Sequence, residues 1–178
     1  MLVGARLDLH RRVADVEAVR EGGCGCGEVR YRVEGEPIFV NNCHCRLCQR
    51  QTGSTSVVNA FFESERVTLL QGDLTDHTVT AGSGGPHVIR RCAQCGAALW
   101  SIYPRLGTLG VGLRVGTLDE PDAWRPDAVI FTESKMPWVA LPEGIPAFET
   151  VYNALELLPA ERVARLEAMI ERRKAGEG

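Results

Sequence analysis

The residues with the greatest chemical reach in this chain are its seven cysteines, which fall into three groups: Cys24 and Cys26; Cys43, Cys45 and Cys48; Cys92 and Cys95. Zinc prefers thiolates, takes four ligands in structural sites and commonly draws them as pairs from short loops. Cys92-Ala93-Gln94-Cys95-Gly96 has the spacing and trailing glycine of a zinc knuckle, the glycine permitting the tight turn that aims backbone N–H groups at the sulfurs. Cys24-Gly25-Cys26-Gly27 is a second compact loop of this kind. Together the two pairs supply one closed tetrahedral site, a clip joining segments far apart in sequence.

The middle trio has a different character. Cys45 and Cys48 are three residues apart and share a face if they lie on one helical turn, which Gly53 would end. Cys43 then sits on the incoming extended chain. Three thiolates converging on one zinc leave a fourth position for water or substrate, the pattern of a catalytic site. The outer pairs could instead be core cysteines or a redox couple. For the trio the alternatives are a redox pair with a spare thiol, or a structural site completed by His44 or a distant histidine. His44 is expected to point away from its neighbours' metal, and His10, His77 and His87 read as surface or turn residues.

The surrounding chain must position these groups. At 178 residues it is long enough for one domain with a substantial core, so it needs no disulfides to compensate for a small one. An odd cysteine count fits a disulfide framework poorly. No apolar stretch suits a signal peptide or a membrane span, so a cytoplasmic location with reduced thiols is the default expectation. A net charge of −3 argues against a nucleic-acid partner.

Three regions are expected: an N-terminal extension over 1–21, partly helical; a zinc-binding β domain over 22–150; and a C-terminal helix and tail over 151–178. Glu28 to Val33 alternates apolar and polar residues as a half-buried strand does. Further strand-like runs are 56–62, 66–71, 87–91, 98–103, 108–115 and 128–132, separated by turns such as Gln71-Gly72-Asp73 and 82–86. Short strands at this spacing predict a mainly β fold: an antiparallel sandwich, a barrel or an open, tent-like pair of sheets. Pro159 suits a first helical position, and Val163, Leu166, Met169 and Ile170 recur at helical spacing. Glu161, Glu167 and Glu171 interrupt its basic end, so this helix reads as packed on a core rather than on a membrane.

With these residues in view, a family resemblance can be stated. Gly23-Cys24-Gly25-Cys26-Gly27-Glu28-Val29-Arg30-Tyr31 resembles the opening motif of the glutathione-dependent formaldehyde-activating, or centromere-protein-V-like, family. Cys43-His44-Cys45-Arg46-Leu47-Cys48 with Thr52-Gly53-Ser54 resembles its central motif, and Cys92 to Gly96 its last pair. Gly116 to Pro121 and Ser134 to Trp138 are similar to later features, so the likeness runs from about residue 22 to 149. Where the family usually has an aromatic residue just before the last pair, this chain has Arg91.

The resemblance implies a β-tent fold with two zinc ions. Cys24, Cys26, Cys92 and Cys95 would hold the structural ion, and Cys43, Cys45 and Cys48 the second. It also implies a carbon–sulfur lyase joining glutathione to formaldehyde as S-hydroxymethylglutathione. Ser54 or Thr52 would steady a developing alkoxide, although small polar residues there often only cap a turn. Lys135 would contact a glutathione carboxylate if it is not simply a solvated charge, and Trp100 and Trp138 read as core residues. Because thiols add to formaldehyde unaided, the rival reading is a non-catalytic zinc module that carries a thiol or serves as a scaffold. Oligomeric state is left open.

Overall fold

The computed structural model describes residues 18–80 and 85–178. Among these residues ten strands form two sheets. The smaller contains β1 (Val19–Gly23), β2 (Arg30–Glu34) and β5 (Val67–Gln71) in the order β1-β2-β5, all antiparallel. The larger adds β3 (Phe39–Cys43), β4 (Val57–Glu63), β6 (Leu74–Thr80), β7 (Pro86–Cys92), β8 (Ala98–Ile102), β9 (Gly110–Arg114) and β10 (Ala128–Ile130). Its order is β10-β3-β4-β9-β8-β7-β6. Only β10 runs parallel to its neighbour, β3. The mainly β expectation holds, with one mixed sheet in place of wholly antiparallel ones. Between β5 and β6 the chain passes from one sheet to the other at Gly72. Its φ of +82° and the 2.3 Å gap from a notional Cβ to the Glu28 carbonyl admit no side chain.

The period of two along each strand gives the large sheet two unlike faces. Val40, Ala60, Leu113 and Trp100 stand side by side on β3, β4, β9 and β8. All are buried against the small sheet's Tyr31 and Val33, with Tyr31 meeting Trp100 edge-on at 5.6 Å. One residue further along, the row reads Asn41, Asn59 and Arg114, again in register and again buried. One face therefore forms the main apolar core, and the other carries this buried polar row between the Phe39–Phe61 stack and the Cys43–Val57 pair.

Three helices complete the described residues: α1 (Arg46–Thr52), α2 (Ala154–Leu157) and α3 (Ala160–Lys174). In α3, Leu166 and Met169 are buried with Ile38, Leu106 and Leu109, and Val163 and Ile170 pack beside them. The apolar stripe is thus spent on the protein's own core. Arg162 pairs with Asp127 and Arg165 with Glu63, fixing the helix against the large sheet. No helix among the described residues is long and apolar enough to cross a membrane. Pro159 proves to be the cap before the first turn.

Several expectations are corrected. The helical reading of the first residues lies mostly outside those described, and residues 19–21 open β1. Strands β3 and β6 were not anticipated: Asn41 and Asn42 are poor strand formers, and β6 is an edge strand with mostly exposed side chains. His87 is buried, because β7 turns it inward to stack on Tyr103 at 4.3 Å, whereas His77 on the edge strand is exposed. Trp100 is a core residue as expected, but Trp138 is 74% exposed because it lies on an irregular loop that no strand draws inward.

Candidate metal centres

The outer pairs meet in space. Cys24 and Cys26 occupy the loop after β1, Cys92 ends β7, and Cys95 lies in the turn leading to β8. Their sulfurs all lie within 4.8 Å of one another, with Cys24–Cys26 at 3.4 Å and Cys26–Cys92 at 3.9 Å. A tetrahedral Zn–S₄ site with bonds of about 2.3 Å places its sulfurs about 3.8 Å apart, so the set fits that ion. The Val29 N–H donates to Cys24 Sγ at 3.2 Å and the Cys95 N–H to Cys92 Sγ at 3.4 Å. Gly27 and Gly96, both at positive φ, allow the two turns. Arg91 donates to the Gly96 carbonyl at 2.9 Å, so the residue that departs from the family pattern braces the knuckle.

Partial burial opposes ionisation of Cys24, but the Val29 N–H and the neighbouring thiols outweigh it and bring the group down to about 6. The Glu28 N–H favours the Cys26 thiolate, yet the other sulfurs prevail and push it up to about 12. Four adjacent thiols cannot all ionise unaided, and a divalent cation removes that restriction.

The trio is assembled differently. Cys43 is the last residue of β3, Cys45 caps α1, and Cys48 lies in its first turn, where its N–H donates to Cys45 Sγ at 3.4 Å. Gly53, at φ +63°, ends the helix as expected. The three sulfurs lie within 4.8 Å of one another, and no fourth Cys, His, Asp or Glu joins them among the described residues. Cys43 and Cys48 are buried with Val57, Ala128 and Ile130 beneath Phe148, Tyr152 and Leu157. Hydrogen bonding from Cys43 and Cys48 draws Cys45 down to about 2, while the Cys45 anion pushes Cys43 far up. Cys48 reaches about 11, where the help it receives from Cys43 is outweighed by Cys45 and burial. Burial and mutual repulsion oppose ionisation of all three thiols together, and the donor set suits a thiophilic cation that would relieve it.

His44 is turned away, its Nδ1 3.1 Å from the Thr55 carbonyl. Burial lowers its pKa, and Nδ1 is the donor because a carbonyl oxygen can only accept. Gln49 ties the site together, its Nε2 donating to the carbonyls of His44 and Ser134. Ser54 is exposed in the turn after α1, and Thr52 donates to the Cys48 carbonyl at 3.0 Å, so both serve the helix end. Lys135 donates to the carbonyls of Met136 and Val139, closing its own loop.

Sequence reasoning missed the polar group beside the trio. Arg114 is buried and donates to Asn59 Oδ1, to Gln51 Oε1 at 2.9 Å and to Ser101 Oγ at 3.1 Å. The available signal was a single charge within the apolar, glycine-rich run 107–118. A cleft of about 350 Å³ opens here, lined by Thr52, Ser56, Val57, Val58, Ala98, Arg114, Val115, Gly116 and Pro121.

Comparison with known proteins finds a family model, a relative and a solved structure similar to this chain. A Halomonas elongata protein, provisionally named a glutathione-dependent formaldehyde-activating enzyme, is 28% identical over 126 residues, covering 68% of this chain and 80% of that one. A crystal structure of a Rhodobacter sphaeroides protein superposes with a TM-score of 0.43 at 21% identity, covering 60% of this chain and 91% of the other. The family model described as glutathione-dependent formaldehyde-activating enzyme matches residues 19–134, a span holding all seven cysteines. The chain belongs to the glutathione-dependent formaldehyde-activating enzyme family.

Proposed function

We propose that the chain is a zinc-dependent carbon–sulfur lyase that joins a small thiol, glutathione, to formaldehyde as S-hydroxymethylglutathione. The observation that carries this reading is the unequal number of donors: four thiols converge at one site and three at the other. In the reaction the thiol sulfur bonds to the aldehyde carbon, the carbonyl electron pair moves to oxygen, and oxygen takes the proton that the thiol gave up. A zinc ion held by Cys43, Cys45 and Cys48 would supply a Lewis-acidic open position at which a thiol ionises.

The chain's own residues provide the rest. Phe148, Tyr152 and Leu157 shield the buried sulfurs from water, which strengthens electrostatic interactions inside. Ser54 stands near the rim as a candidate donor to the developing alkoxide, but it would have to turn inward from its exposed position. Lys135 keeps one of its three ammonium donors for a substrate carboxylate, since two are spent on carbonyls. Seven unpaired thiols suit a reducing compartment, so the proposed location is the cytoplasm.

The test combines zinc content with the rate of adduct formation from ¹³C-formaldehyde and glutathione. Two zinc ions per chain are expected in the native protein, and one in a variant with all three trio cysteines changed to serine, which should show only the uncatalysed rate. If that variant keeps the native rate, the protein is a thiol carrier or scaffold instead.

A further inference from the structure

Arg114 differs from Arg162 and Arg165, two partly buried arginines of α3. Arg162 and Arg165 each fork onto a carboxylate, Asp127 and Glu63. Arg114 is more deeply buried, at 4% exposure, yet its partners Asn59, Gln51 and Ser101 are all neutral. Among the described residues no carboxylate pairs with it. Three of the guanidinium's five N–H donors are engaged, and Nε has no partner. A buried, always-charged group is expected to be matched by an anion.

The surroundings indicate where that anion comes from. Arg114 forms part of the wall of the 350 Å³ cleft, a volume within the range of small-molecule sites. The cleft adjoins the trio through two of its other walls. Thr52 is the last residue of α1, which carries Cys48, and Val57 packs against Cys43 and Cys48. Gln51, which accepts from Arg114, lies one turn beyond Cys48 on that helix.

We infer that this cleft is a carboxylate subsite in which Arg114 anchors the thiol substrate while the substrate's sulfur reaches the trio. The inference rests on the proposed thiol chemistry and deepens it: the site would select thiols that carry a carboxylate. Guanidinium–carboxylate pairing has the geometry for such selection, and hydrogen-bond partners that are all neutral leave Arg114 without a paired carboxylate of its own. Gly116 offers an independent handle. A side chain there would meet nothing within 4 Å and would project into open space at the cleft wall.

The test is calorimetric titration of the zinc-loaded full chain with S-methylglutathione, which keeps both carboxylates but has no free thiol, and with cysteamine, a thiol without a carboxylate. S-Methylglutathione should bind, and about tenfold more weakly to Arg114→Gln, with cysteamine affinity changed less than about twofold. Gly116→Leu should weaken S-methylglutathione by a similar factor, and it decides the matter if Arg114→Gln does not fold. No binding of S-methylglutathione to the native chain, native affinity in either folded variant, or equal loss for both ligands in Arg114→Gln would overturn the subsite. Equal loss would make Arg114 a counter-charge to the trio instead. If S-methylglutathione depends on Arg114 while neither glutathione nor cysteamine reaches the trio's metal, the subsite stands and the proposed thiol chemistry falls.

Discussion

The two cysteine sites are built from the same side chain at the same spacing in space, yet they differ in nearly every other respect. The outer site lies at the surface, with Cys26 and Cys95 exposed, and it draws its ligands from two glycine turns about 70 residues apart. The trio comes from one strand end and one helical turn, and Cys43 and Cys48 are buried beside a polar network. A closed set drawn from distant segments constrains the chain. An incomplete set drawn from one local segment constrains little and leaves room for chemistry. On the proposed reading, the number and origin of the donors, rather than their chemical type, separate a clip from a reactive centre.

The comparison can be broken most decisively at Cys92, which is fully buried in the core and contributes to the outer site. Cys92→Ser should cost several kcal/mol, since structural zinc commonly supplies about 10 kcal/mol or more of folding free energy. The expected result is an insoluble protein or a thermal midpoint lowered by more than about 10 °C, read by circular dichroism. A variant that melts like the native chain would remove the outer site's structural role.

Cys45→Ser should behave in the opposite way. Zinc content should drop from two to one and adduct formation should stop, while stability changes by less than about 2 kcal/mol. If this substitution destabilises the chain as much as Cys92→Ser does, the two sites are both clips.

The polar face should also respond to acid. Burial, reinforced by the Arg114 charge, holds His87 down to about 4 against an ordinary value of 6.5. Because the folded pKa is the lower one, this contribution is fully present above pH 6.5 and is lost as pH falls towards 4, up to about 3 kcal/mol in all. Urea midpoints at pH 7 and pH 5 should therefore differ, and His87→Phe should reduce the difference. An unchanged pH slope in that variant would show that His87 does not carry it.

The smallest effect is expected over the trio, where the Tyr152 hydroxyl donates to Asn41 Oδ1 at 2.7 Å. Tyr152→Phe should cost about 1 kcal/mol in stability and raise the KM for the thiol more than it lowers kcat. An equal fall in both stability and kcat would mean that the cover over the trio is structural throughout.

Much of this was legible in the sequence because the signals were local. Cys-x-x-Cys spacing, a glycine beside a turn and the alternation Tyr31, Val33 act over a few residues, where backbone geometry alone decides. Strand β3 was not legible, because Asn41 and Asn42 are poor strand formers held there by backbone pairing with β4 and β10 and, for Asn41, by the Tyr152 hydroxyl. His87 and Trp138 were misread for a related reason: burial depends on which strand or loop covers a residue, and their own neighbours in sequence carry no sign of it.

What the sequence determined by itself was the inventory of the two sites, four thiols and three, since ligand type and short-range spacing are written in consecutive residues. Only the tertiary structure decided which pairs meet, which site is buried, and that Arg114 lies beside the trio. Those outcomes depend on strand register, and register is set by the packing of a whole sheet face rather than by any one segment.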